Sequence, residues 1–182
     1  MITSIFRVVL GTLLIFLSAV FTNAYSDEEL IVAVNSLRKD NGQIQLTKNN
    51  QLNQAASLKL ADIQKYQYWS HDNPQTGKKW LAFVRESNYR FDAGENLAKG
   101  FEDVDKIINA WLNSPSHRKN LLSSKFNSYG LAVGQVNYAS GPETVVVLEF
   151  GVTPSSKAKH SPINIISTLF ENVSFSSPVV LL

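Results

Sequence analysis

Residues 111–122 read WLNSPSHRKNLL, and they place a histidine at the start of a short predicted helix. Ser114 is a favourable N-cap residue, and Pro115 suits the first helical position because its missing N–H would be unpaired there anyway. His117 therefore falls in the first turn of a helix that runs to about Leu122. Side chains at such a loop-to-helix boundary commonly face a cleft, so we treat His117 as a candidate site residue.

Two further segments carry polar side chains in the same kind of setting. His71 opens a loop that is rich in turn-forming residues, and Glu95 lies in residues 94–100, GENLAKG, between two predicted helices. Two imidazoles and a carboxylate can bind a divalent metal, polarise a water molecule, or form a hydrogen-bonded network. Sequence spacing leaves these three alternatives open.

The spacing of apolar residues predicts helices early in the chain and strands late. The first helix follows a capping box at Ser26–Glu29 and ends at Asn41–Gly42. The predicted later elements are a second helix N-capped by Thr47 and running to about Tyr66, a short third helix at Trp80, a loop over residues 88–100, a fourth helix at Trp111, and a hairpin of residues 129–136 and 143–152. This order predicts an α+β domain rather than a βαβ sheet.

Three segments together resemble the signature motifs of the CAP superfamily, the pathogenesis-related-1/SCP-like group. They are residues 68–71 (YWSH), 94–100 (GENLAKG) and 111–122, and LEFG at 148–151 resembles the closing strand. The stretch SPSHRKNLL is similar to the compact, bacterial-type members. The resemblance covers residues 26–152 and implies a single domain, a three-layer α-β-α sandwich with a central cavity.

The resemblance also implies a cavity lined by two histidines and two acidic residues. His71, Glu95 and His117 take three of these places, whereas no carboxylate stands just after Trp111, where the second acid is expected. Asn113 or Ser114 is the neutral replacement that the sequence offers. The candidate cleft residues are therefore His71, Glu95, His117, Asn113 and Ser114.

Zinc-binding members of the superfamily hold the ion mainly through the two histidines, so the resemblance makes His71 and His117 the candidate metal ligands. Two protein nitrogens leave coordination positions to water, which predicts a weak, exchangeable zinc site. Binding should be favoured above about pH 6.5, where imidazole is neutral.

The superfamily resemblance implies a non-catalytic binding protein for sterols, fatty acids or other apolar molecules. Two alternatives stay open: an extracellular metal- or His/Glu-assisted hydrolase that uses His71, Glu95 and His117, and a secreted effector that binds a cell-surface protein or a glycan. The sequence contains no GxSxG, HExxH or P-loop motif. We therefore expect binding rather than catalysis.

Composition restricts the partners and the chemistry. The net charge is +2, which predicts no general attraction to nucleic acid or to anionic membranes. The chain has no cysteine, so disulfides, thiolate catalysis and cysteine zinc sites are excluded. Packing and hydrogen bonds alone must stabilise the fold.

The N-terminus predicts secretion. Residues 1–24 combine Arg7, an apolar run and a small-residue site at Thr22-Asn23-Ala24, as in a signal peptide cleaved after Ala24. An uncleaved membrane anchor is the alternative; after cleavage no stable membrane span is expected. Residues 153–182 are predicted to be a linker and a C-terminal tail, and Asn172 begins a glycosylation sequon.

Overall fold

The computed structural model describes residues 25–154. The predicted signal peptide, nearly all of the predicted linker and tail, and Asn172 lie outside these residues. The helices are α1 Asp27–Asp40, α2 Asn50–Tyr66, α3 Trp80–Glu86, α4 Val104–Asn113 and α5 Pro115–Leu121, and the strands are β1 Thr47–Lys48, β2 Ala93–Lys99, β3 Ser128–Tyr138 and β4 Gly141–Gly151. Within the described residues, no helix is both long enough and apolar enough to cross a membrane.

The four strands form one sheet in the order β1-β3-β4-β2. β3 and β4 form the predicted hairpin, with Tyr138 paired to Gly141, and β2 pairs antiparallel with β4. β1 pairs parallel with β3. β1 and β2 are therefore the two edge strands, and β2 brings the GENLAKG segment to one edge of the sheet.

Helices cover both faces of the sheet, so the predicted α-β-α sandwich is confirmed. α2 and α3 lie on one face, where Ile63 packs with Val145 and Val147. α1, α4 and α5 lie on the other, where Trp111 and Leu121 pack with the alternate residues of β4. α2 approaches so closely that a Cβ on Gly130 would lie 2.0 Å from the backbone carbon of Leu52.

The helix boundaries agree with the sequence at α1 and differ at α2. Ser26 caps α1 through the predicted capping box. The prediction that Thr47 caps α2 is wrong, because its backbone N–H donates to the Asn127 carbonyl and Thr47 belongs to β1. The side-chain oxygen of Asn49 instead accepts from the N–H groups of Gln51 and Leu52 and begins the helix.

The interpretation of residues 88–100 as a loop is also wrong, because Ala93–Lys99 forms β2. Both faces of this strand are covered, so residues 94–98 are all buried. A strand that is buried on both faces lacks the alternation of polar and apolar residues by which half-buried strands are recognised.

Side chains from α4 and α5 protect the outer edge of β2. The indole Nε1–H of Trp111 donates to the Leu97 carbonyl at 2.8 Å, and the Asn120 side chain donates to the Glu95 carbonyl at 3.2 Å. These bonds occupy carbonyls that would otherwise pair with a further strand. Trp111 is 1% exposed and belongs to the core on this face of the sheet.

Candidate functional site

The candidate site lies at the outer edge of β2, between the loop after α2 on one face of the sheet and α5 on the other. Glu95 points to the α2 face of the sheet, and the loop that follows α2 places His71 against it. The Nδ1 of His71 and Oε1 of Glu95 are 2.6 Å apart. The His71 side chain is 50% exposed and that of Glu95 is 1% exposed, so a buried carboxylate orients an accessible imidazole.

His117 reaches the same place from the opposite layer. Its ring centroid is 6.1 Å from that of His71, with the ring planes tilted by 45°. The amide of Asn96 donates to the His117 carbonyl at 3.1 Å, and Asn120 donates to the side-chain oxygen of Asn96. These bonds join the first turns of α5 to β2.

The glycine of the GEN segment makes this close approach possible. A Cβ on Gly94 would lie 2.9 Å from the Oδ1 of Asn120 and 3.1 Å from the ring of Phe126. A larger residue would push Asn120 away from β2 and loosen the bonds that position His117.

A second carboxyl group, Glu149, lies directly behind Glu95. The two residues face each other across the β2–β4 pair. Glu149 is fully buried, and neither of its oxygens has a hydrogen-bond donor among residues 25–154; Oε2 of Glu95 also lacks one. Two adjacent buried carboxyls are not both ionised, because neither charge is hydrated and the two repel.

A proton on Glu149 removes the charge repulsion between the two carboxyls and supplies a hydrogen-bond donor. Burial, and then the neighbouring Glu95 carboxylate, raise the pKa of Glu149 well above its ordinary value. A protonated Glu149 can donate a hydrogen bond to Glu95, its partner across the strand pair. Glu95 is thus held between Glu149 and His71.

Lys59 of α2 adds a buried positive charge beside these carboxyls. Its ammonium donates to the Tyr68 hydroxyl at 2.9 Å, to the Ser70 carbonyl at 3.0 Å and to the His71 carbonyl. Burial lowers the pKa of Lys59, while the carboxylates around it, first Glu95, act in the opposite direction. Lys59 therefore fixes the loop that carries His71 and balances the buried negative charge.

The two histidines differ in their preferred charge. The hydrogen bond to Glu95 raises the pKa of His71, although burial opposes this shift. Burial lowers the pKa of His117, and the neighbouring His71 lowers it further. As pH rises from acidic values, His117 loses its proton before His71 does.

A pocket of about 330 Å³ adjoins His117 along the edge of β2. Apolar and aromatic side chains form most of its wall, and its polar side chains are Lys99, Ser114 and His117. The remaining lining residues are Trp69, Leu97, Ala98, Phe101, Ala110 and Trp111. The apolar pocket therefore includes one imidazole, that of His117, and the exposed imidazole of His71 lies beside it.

The structure brings four of the five candidate cleft residues together. His71 contacts Glu95, His117 lies beside His71, and Ser114 lines the pocket with His117. Asn113 is exposed at the end of α4 and does not line this pocket.

Sequence reasoning missed Glu149 and Lys59. A signal for each is present in the sequence: Glu149 interrupts the apolar run of β4, and Lys59 falls on the apolar face of α2, between Ala56 and Ile63. The second carboxyl of the site thus comes from β4 rather than from the residues after Trp111.

As a metal site, the arrangement offers two imidazoles. Among residues 25–154, no group of three or more His, Asp or Glu side chains is arranged to hold a metal ion. A carboxylate on Nδ1 is the usual second partner of a zinc-binding histidine, because it fixes the tautomer and leaves Nε2 for the metal. His71 has this partner in Glu95, so the donor set fits a weakly held ion.

Comparison with known proteins identifies the family. Residues 31–150 match the model of the family described as CAP: Cysteine-rich secretory protein family. The uncharacterised protein YkwD of Bacillus subtilis (strain 168) is 30% identical over 114 residues, which are 63% of this chain and 44% of YkwD. The uncharacterised membrane protein YlbC of the same organism is 28% identical over 114 residues, 62% of this chain and 33% of YlbC. The chain thus spans less than half the length of these curated relatives.

Solved structures show the same fold. An extracellular protein of Bacillus anthracis that contains an SCP domain is 28% identical, with a TM-score of 0.56 over 69% of this chain and 40% of that one. An outer surface protein of Borrelia burgdorferi is 22% identical, with a TM-score of 0.59 over 70% of this chain and 92% of that one. This chain, although it has no cysteine, therefore belongs to the cysteine-rich secretory protein (CAP) family and is of the bacterial type.

Proposed function

We propose that this chain is a secreted, non-catalytic binding protein that takes a small, largely apolar ligand of the fatty-acid or sterol type in the pocket beside His117. The observation that carries the proposal is the 330 Å³ pocket itself. Ligand sites are typically apolar concavities of about 300–1,000 Å³ with a few polar groups that orient the guest. The volume is at the lower end of this range, which favours a single acyl chain over a whole sterol.

Secretion is part of the same proposal. It rests on the signal-like residues 1–24, and the related domain of Bacillus anthracis belongs to a protein described as extracellular. The buried state of Glu95 and Glu149 supports binding over hydrolysis, because neither carboxyl faces a substrate in the pocket.

Ala110 offers a direct test of ligand binding. Replacing Ala110 by Trp should fill the pocket, whereas Ala61→Trp places the same side chain on the exposed surface of α2. Purified wild-type protein should bind radiolabelled palmitate or cholesterol saturably at micromolar concentration, Ala61→Trp should bind equally, and Ala110→Trp should not. Absence of saturable binding to wild-type protein, or equal binding by both variants, contradicts the proposal.

A second candidate function is the reversible binding of zinc by His71 and His117, and the Glu95–His71 bond favours it. The ion would supply a Lewis-acidic centre at the mouth of the pocket. His71 must lose its proton to bind, and its pKa is raised, so affinity should increase with pH above about 6.5.

Calorimetric titration with zinc chloride tests this second function. Wild-type protein should release heat that is lost in the double variant His71→Ala/His117→Ala. Glu95→Gln should retain both ligands and bind about 10–100-fold more weakly, because the amide orients His71 less well. Heat that persists in the double variant would place the zinc elsewhere.

A further inference from the structure

A second concavity lies on the face of α5 that is turned away from the candidate site. Its volume is about 560 Å³. Four lining residues follow one helical face, namely Pro115, Arg118, Lys119 and Leu122, and the next loop adds Ser123, Ser124 and Lys125. Because His117 and Ser114 line the pocket on the other side, α5 separates the two concavities. We call this second one the basic groove.

The basic groove concentrates positive charge. Arg118, Lys119 and Lys125 are all exposed, and no acidic residue lines the groove. None of the ion pairs formed within residues 25–154 includes any of the three. The whole chain carries a net charge of only +2, so this is a local concentration of charge rather than a general basic surface.

The groove is also rigidly built. The buried guanidinium of Arg38 donates to the carbonyls of Leu121, Ser123 and Phe126, which fixes the loop that presents Lys125. The Nε of Arg118 donates to the Leu112 carbonyl at 2.6 Å, and this bond fixes the position of the Arg118 guanidinium. Donors that are ordered in advance cost less to immobilise when a ligand binds.

The chemistry of the lining identifies the kind of ligand. Cations near a helix C-terminus often serve only to stabilise the helix dipole, which accounts for Arg118 and Lys119 but not for Lys125 or the two serine hydroxyls. A guanidinium, two ammonium groups and hydroxyls form a donor set that suits phosphate oxygens.

Two features of the surface favour a phosphate polymer over a nucleic acid or a membrane as the ligand of the groove. No aromatic side chain lines the basic groove, so nucleic acid bases have nothing to stack on. The large apolar side chains exposed among the described residues, Val32, Ile44, Trp69, Leu81 and Phe91, all lie outside the groove, so none is available there to enter a lipid layer. Pro115 and Leu122 offer a short apolar floor for an uncharged part of a polymer.

We propose that the basic groove binds a linear phosphate polymer that carries no bases. Arg118, Lys119 and Lys125 contact its phosphates, and Ser123 and Ser124 donate hydrogen bonds to them. This site is independent of the ligand and zinc proposals above, because it lies on the other face of α5.

The experiment measures binding of short-chain sodium polyphosphate to the whole protein, with EDTA present so that no metal bridges the two. The triple variant Arg118→Gln/Lys119→Gln/Lys125→Gln should bind at least about tenfold more weakly, since each charge-assisted hydrogen bond contributes measurably. The affinity of this variant for polyphosphate should also fall less steeply with salt concentration than that of wild type, because fewer counterions are released on binding. The charge-matched control Lys48→Gln/Lys65→Gln/Arg90→Gln, all on exposed residues outside the groove, should change binding less than about twofold.

Several outcomes overturn the proposal. Equal losses in the two triple variants would indicate general charge attraction only. Tighter binding to a single-stranded oligonucleotide, or to phosphatidylglycerol vesicles, would assign the groove to a different partner. If the groove variant melts at a lower temperature than wild type, the single exchange Lys125→Glu decides: unchanged polyphosphate affinity in that variant excludes the site.

Discussion

Two buried cations lie on opposite faces of the sheet, and the protein satisfies them in different ways. Arg38 of α1 donates to four backbone carbonyls, those of Ile44, Leu121, Ser123 and Phe126, and forms no ion pair within the described residues.

Lys59 of α2 also donates to carbonyls, but the charges of Glu95 and Glu149 act on it. A buried charge can therefore anchor a loop through backbone hydrogen bonds alone, as Arg38 does. It can also stabilise the carboxyls of a site, as Lys59 does. The first role predicts a stability that is insensitive to pH, and the second a stability that depends on it.

Removal of Arg38 should have the largest effect. Arg38→Met leaves four carbonyl groups without their donor and should lower the free energy of unfolding by about 3–4 kcal/mol. The loss should be equal at pH 5 and pH 8 in urea titrations, because no titrating group faces the guanidinium in these bonds. Lys39→Met, at the exposed neighbouring position, is the control and should change stability by less than about 0.5 kcal/mol.

Removal of Lys59 should cost less and should depend on pH. Lys59→Met removes three hydrogen bonds of the loop before His71 and should cost about 2–3 kcal/mol at pH 5. At pH 8 the loss should be larger, because His71 is then more fully deprotonated and no longer compensates the negative charge beside it in place of Lys59. The exposed Lys65 of the same helix provides the matched control, Lys65→Met. An identical loss of stability at both pH values would mean that Lys59, like Arg38, stabilises only its loop.

The smallest effect concerns Glu149. Its pKa is raised in the folded protein, so the folded state retains a proton that the unfolded chain releases above about pH 4.3. The contribution of Glu149 to stability therefore falls as pH rises above that value, by about 1.4 kcal/mol for each unit of the pKa difference.

Glu149→Gln isolates this contribution. The amide keeps a donor toward Glu95 and cannot ionise, so the variant should match wild type near pH 4 and exceed it by about 1 kcal/mol or more at pH 8. Chemical denaturation at a series of pH values checks this. Parallel pH profiles for variant and wild type would show that Glu149 is already ionised in the folded protein.

The sequence predicted the parts of the fold that have a local cause. The capping box at Ser26, the apolar periodicity of the helices and the hairpin turn depend on residues that are close in the chain. β2 escaped prediction because helices cover both of its faces, and this covering depends on residues far away in the sequence. The start of α2 was misplaced for a related reason, since a long-range pairing with Asn127 takes Thr47 into the sheet.

The candidate site divides in the same way. His71, Glu95 and His117 were identified from motifs, and the structure supplies their distances. Glu149 could not be found from local pattern, because its role depends on the register that places it opposite Glu95. The role of Lys59 could not be predicted either, because it depends on where the loop after α2 folds back onto the helix. A charged residue within an otherwise apolar face is the general signal that both residues share.

The position of the two histidines at the sheet edge has a mechanical consequence. His71 follows α2 and His117 lies in the first turn of α5, and these two elements, on opposite faces of the sheet, approach each other beyond β2, one of its two edge strands. Any ligand that contacts both imidazoles therefore links the two helical layers to each other. It would resist their separation during local opening of the domain, and hydrogen exchange would slow on both sides of the sheet together.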